Sequence, residues 1–188
     1  FISKRDMANN PLLIYTPRSY ESWSFDLGKG RSITLSGDLI PPMTQEQAAL
    51  YTAPNGAQAC SLPDFFKFAG RMYELRNEGG YIGKHVESAR TFVRDASRTM
   101  YQNTQTRIIH SPEGKDNIIH NYGTQRKTET EADLIGDDGE IKEVLSLEAS
   151  LTLTGKKPEE VAEIMSYLND GTPAYIWRLN TKPKIRDE

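Results

Sequence analysis

The chain has 188 residues, a formal net charge of −3, 37% apolar and 26% charged residues, which suits one globular domain folding without metal or disulfide. Its single cysteine, Cys60, excludes an internal disulfide framework, and no apolar run approaches the ~20 residues that span a bilayer. No charged start leads into an apolar stretch, so no retained signal peptide and no membrane partner are expected, and the reading is cytoplasmic.

The first forty residues read as β. Trp23, Phe25 and Leu27 alternate with polar residues, Gly28-Lys29-Gly30 interrupts, and Ile33, Leu35 and Leu39 resume the period of two, a hairpin pattern that Pro41-Pro42 ends. Thr44-Gln45-Glu46-Gln47 fits a capping box and opens a short helix, which the turn residues Pro54-Asn55-Gly56 close. Ser61 caps a second helix with Pro63 and Asp64 in its first turn; it is thickly apolar from Phe65 to about Asn77 and stops at Glu78-Gly79-Gly80. Ile82, Val86, Ala89, Val93, Ala96 and Met100 then make one buried stripe on a long helix. So short a break predicts an antiparallel helix pair.

From Thr106 the period changes. Arg107 to His110 and Asn117 to His120 flank a turn-rich loop and predict a second hairpin, and Gly136-Asp137-Asp138-Gly139 predicts a third. Leu145, Leu147, Ala149, Leu151 and Leu153 alternate with polar residues and read as a strand. A last helix presents Val161, Ile164, Met165 and Leu168 and closes at Asn169-Asp170-Gly171; a strand over Ala174 to Leu179 follows. Strands and helices are grouped rather than alternating. The expected fold is α+β: a largely antiparallel sheet of several hairpins against an antiparallel helix pair and one C-terminal helix. Residues 1–179 form one domain, and 180–188 a polar tail.

Charge is polarised along the chain. Lys67 to Arg107 holds eight Lys or Arg against four acids, while Glu129 to Glu163 holds eleven acids against three bases. Arg90, Arg94 and Arg98 share one face of the long helix at i, i+4 and i+8. Lys84, Arg107, Arg71 and Arg76 extend the patch, with Tyr73 and Tyr101 as aromatic neighbours. The leading expectation is a non-catalytic binding or assembly domain, whose basic helix and acidic region serve self-association or an acidic protein surface. Nucleic acid is the alternative, since arginines beside aromatics bind phosphates and stack on bases. The plainer reading is a solvated or self-neutralised face, because Glu87 and Asp95 share the helix.

Enzyme chemistry finds little support. Gly79 to His85 resembles a phosphate loop, but Glu78 stands where the first glycine belongs and His85 where Ser or Thr belongs. Cys60 has no histidine beside it in sequence, and no Gly-x-Ser-x-Gly elbow occurs. His110, His120 and Asp138 are the weak candidates for a metal site, or for an assembled hydrolase or transferase site; an even hairpin register brings the two histidines near each other. Gly-Asp-Asp-Gly is equally what a tight turn looks like without metal. No motif calls for a cofactor.

Overall fold

A computed structural model of the chain describes residues 22–37, 44–52, 58–99, 104–111, 114–134 and 139–176. The architecture is α+β with antiparallel sheets. Strands β1 (Ser22–Gly28) and β2 (Arg31–Ser36) form the first hairpin, with Trp23 opposite Leu35 and Phe25 opposite Ile33. Lys29 and Gly30 make its loop with φ of 54° and 69°, the positive pair that a two-residue hairpin turn requires. Helix α1 (Gln45–Leu50) starts at the capping box: Thr44 Oγ1 accepts from Gln47 N at 3.2 Å and Gln47 Oε1 from Thr44 N at 2.9 Å. The Pro54-Asn55-Gly56 turn lies outside the described residues.

Helices α2 (Leu62–Glu74) and α3 (Gly80–Thr99) follow, the first capped by Ser61. Helix α2 yields to a turn at Leu75, earlier than its apolar run suggests. On α3 the middle of the expected stripe is buried as Val86, Ala89 and Val93, but Ile82 is exposed and Met100 lies outside the described residues. Strands β3 (Arg107–Ile109), β4 (Asp116–His120) and β5 (Thr128–Ala132) form a three-stranded antiparallel sheet in that order.

Two expectations fail here. Among the described residues the third hairpin does not form: β6 (Gly139–Glu140) pairs with β7 (Tyr175–Ile176), while β5 pairs with β4; Gly136, Asp137 and Asp138 of the expected turn lie outside the described residues. The local turn signal is overruled by a long-range pairing: β6 joins β7, while β5 remains the end strand of its own sheet. The expected strand over 145–153 is helical instead, with a short turn α4 (Ile141–Val144) and then α5 (Leu147–Thr154). Ser146 Oγ caps α5 by accepting from Ala149 N at 3.1 Å, and Gly155 ends it at φ 73°. Its buried residues are Ala149, Ser150, Leu153 and Thr154, a helical stripe, whereas Leu147 and Leu151 point outward. The final helix α6 (Pro158–Leu168) thus has two more helical segments just before it.

Side chains gather into two cores. The first holds Trp23 and Phe25 from β1, Phe66, Phe68, Ala69 and Met72 from α2, Val86, Ala89 and Val93 from α3, and Val161, Ile164 and Leu168 from α6. Trp23 stacks on Phe92 at 4.9 Å and donates its Nε1–H to Ser88 Oγ at 3.1 Å, fastening β1 to α3. The second core is smaller: Ile118, Ala132, Leu134, Ala149 and Leu153, between the three-stranded sheet and α5. Leu62 and Leu145 pack against both.

Candidate functional site

Two of the three arginines on α3 hold α3 to the end of α6. Asp170 and Gly171 follow α6 at φ 54° and 84°, and Gly171 N donates to Ser166 O at 2.8 Å. This left-handed closure turns the Asp170 carboxylate toward α3. Arg90 and Arg94 both bond to it, the second at 3.3 Å. Arg90 Nε also donates to Tyr167 O at 2.9 Å, one of the last carbonyls of α6 that helix geometry leaves unpaired, and its guanidinium lies 4.8 Å from the Tyr167 ring centroid. Glu87 takes the remaining face of Arg90 at 3.1 Å, and Asp95 takes Arg94 Nε at 3.1 Å. Arg90 and Arg94 keep only 15% and 23% of their side-chain exposure. Partial burial raises the Asp170 carboxyl, but Arg94 and Arg90 outweigh it and hold that group below its ordinary value.

The neutralising carboxylates come from α3 itself and from Asp170, not from the acidic stretch 129–163. A phosphate approaching this face would have to displace them. The Arg98 side chain and Tyr101 lie outside the described residues. Lys84 is exposed on α3. Arg107 belongs to β3, where it donates to the Tyr122 hydroxyl at 2.8 Å, and Arg71 bonds Glu74 and the Asp26 carbonyl.

Beside the Arg90–Tyr167 contact lies an open groove of about 610 Å³. Its floor is Ile141, Ala162 and Ala174; Tyr73 and Arg76 form one wall, Glu140 and Lys142 the other. Tyr73 and Tyr167 meet edge to face at 5.7 Å. Arg76 covers the Tyr73 ring at 3.7 Å and donates to the Tyr73 carbonyl at 2.6 Å. The Tyr73 hydroxyl donates to Glu163 at 3.0 Å; burial, then this carboxylate, raises the phenol's pKa. Lys142 pairs with Glu140 at 3.3 Å. Among the described residues, no carboxylate pairs with Arg76. Sequence reasoning named Tyr73 and Arg76 only as additions to the α3 patch and missed Glu163, Tyr167 and Lys142. A readable signal was present: Tyr73–Arg76 and Glu163–Tyr167 stand at i,i+3 and i,i+4, so each pair shares a helix face.

The histidines do not converge. In the β3–β4 register Ile109 faces Asn117 and Arg107 faces Ile119, which sends His110 and His120 to opposite ends of the hairpin. Nε2 of His120 donates to Thr152 O at 2.7 Å, and Nδ1 accepts from the Thr106 hydroxyl at 2.9 Å. Thr106 Oγ1 in turn accepts from Leu62 N at 2.9 Å. A hydroxyl beside an imidazole resembles a nucleophile and its base. Both are buried, however, and a carbonyl rather than an acid orients the ring. His110 Nδ1 approaches the buried Asp116 at 3.4 Å. Asp138 lies outside the described residues, and no group of three metal-ligating side chains occurs among those described. Burial and then Asp64 push the Cys60 thiol up to about 11, so it stays protonated and unreactive at neutral pH although part of the residue reaches the surface.

No helix among the described residues is long and apolar enough to cross a membrane. No family model, curated protein or solved structure matches the chain.

Proposed function

We propose that this chain is a non-catalytic binding domain, and that its groove between α2, α4 and α6 receives an acidic segment of a protein partner. The observation that carries the reading is Arg76: an exposed guanidinium at a concave, half-apolar surface, held flat by Tyr73 and left without a carboxylate among the described residues. The ring fixes the guanidinium plane in advance, which lowers the ordering cost of binding. Lys142 adds a second cation across the groove, already shared with Glu140. Arginine and tyrosine are the residue types that most often dominate protein–protein contacts. Of the arginines on α3 whose side chains are described, Arg90 lines this surface and Arg94 does not, and Arg90 serves there by orienting Tyr167.

The test uses a fluorescein-labelled ten-residue peptide of alternating glutamate and alanine, titrated with the whole chain at low salt and followed by anisotropy. Arg76→Glu weakens binding at least about tenfold, roughly 1.4 kcal/mol, while Lys84→Glu, a charge change of the same sign away from the groove, leaves it within a factor of about two. Equal weakening by both variants would reduce the effect to net charge, and no binding by the unmodified chain would remove the proposal.

A further inference from the structure

A second surface stands apart from the groove and does not depend on that reading. Strand β5 ends the three-stranded sheet, and among the described residues only β4 pairs with it. Its register is unbroken from Thr128 to Ala132, without bulge or proline. Thr128, Glu129, Thr130 and Glu131 are all exposed. An edge of five extended residues offers a run of about 17 Å of backbone donors and acceptors.

The side chains decide what fits that edge. Glu129 and Glu131 lie on the sheet face opposite Ile118 and the second core, beside Asn117 and Ile119 of β4. A second copy of β5 added edge to edge brings four carboxylates onto one face, and like charges directly across a ladder are destabilising. The same pair attracts cations at a spacing of two. Lys127 already lies 3.0 Å from Glu129, while among the described residues Glu131 makes no direct ion pair: Lys115 feels its charge but bonds Glu148. Asn117, across from Glu131, adds a buried side-chain oxygen with no hydrogen-bond partner.

We infer that β5 is a docking edge for an extended segment of another protein carrying Lys or Arg at alternate positions, added as a fourth strand. Backbone hydrogen bonds supply affinity in this mode and alternate side chains supply specificity. The acidic pair thus does two things at once: it keeps copies of the chain from pairing through this edge and selects a basic strand.

The experiment uses a nine-residue peptide of alternating threonine and lysine with capped ends. A second peptide has the same side chains but N-methyl groups on its five central amides. That change keeps every charge and removes ladder donors from both edges. Binding to the whole chain is followed by anisotropy, and amide hydrogen exchange locates it. The unmodified peptide binds and slows exchange at Thr128 to Ala132, while the methylated peptide binds at least about tenfold more weakly. The double variant Glu129→Lys/Glu131→Lys loses a similar factor, whereas Arg76→Glu, which disables the groove, changes nothing. Equal binding of the two peptides would overturn the inference, since charge alone would then suffice. Absence of binding would do the same. So would sedimentation of the chain alone as a dimer that Glu129→Lys/Glu131→Lys dissociates, for the occupant would then be a second copy.

Discussion

The two cores solve the same problem with different material. Around α2, α3 and α6 the interior is almost wholly apolar, and polar groups such as Arg90 and Asp170 work at its rim. Between the three-stranded sheet and α5, five apolar residues form the buried cluster among the described residues, and buried polar groups complete the interior. Asp116, 1% exposed, accepts from Ser111 N at 3.0 Å and Leu134 N at 3.3 Å, with His110 beside it. Leu62 N, Thr106, His120 and Thr152 O form one continuous chain of donors and acceptors. Ser150 and Thr154 are likewise buried, and their hydroxyls bond the turn after α5. Apolar packing is tolerant of which atoms fill a volume, whereas a buried hydrogen bond requires a donor opposite an acceptor. The first core is therefore defined by volume and the second by pairing.

Substitutions can break that distinction. Asp116→Ala strands two backbone N–H groups in the interior and is expected to cost about 4 kcal/mol. Met72→Ala, a cavity at a residue with no exposure, is expected to cost about 3 kcal/mol. The near-isosteric pair is sharper. Asp116→Asn keeps the shape but sets an amide donor against a backbone donor, costing about 3 kcal/mol. Met72→Leu keeps the volume and costs about 1 kcal/mol. Urea unfolding of the four variants measures all of this. If Asp116→Asn were as mild as Met72→Leu, the second core would be governed by volume after all.

The same distinction explains what could be read from sequence. The first hairpin, α2 and α6 were legible because their apolar periods and caps agree: Trp23 and Phe25, then Ile33 and Leu35, each at spacing two, Ser61 before α2, Asn169-Asp170-Gly171 after α6. In the second core the signals conflict. Leu145 to Leu153 carries a period of two, but Ser146 and Gly155 are helix caps and leucine is a good helix former. Local caps and the burial of Ala149 and Leu153 against β4 and β5 won. The β6–β7 pairing joins residues more than thirty apart, and no local pattern announces it. The groove was invisible for a related reason: its walls come from four separated segments, whereas the arginine row lies on one helix and draws the eye.

The smallest expected effect lies at the rim of the first core and has a definite pH signature. With its folded pKa held below the ordinary value of 3.8, Asp170 contributes stability that is fully present above about pH 4 and is lost as pH falls through the lower, folded value. Asp170→Asn keeps the left-handed turn, which asparagine tolerates as well as aspartate. The variant should therefore be slightly less stable than the parent at neutral pH, and the difference should shrink below pH 4 as the parent's own carboxylate protonates. Thermal melts of both from pH 2.5 to 7 measure this convergence. Parallel curves would mean that the Arg90–Asp170–Arg94 cluster adds nothing by charge pairing, leaving the bond from the Arg90 guanidinium to the neutral Tyr167 carbonyl to hold α3 against α6.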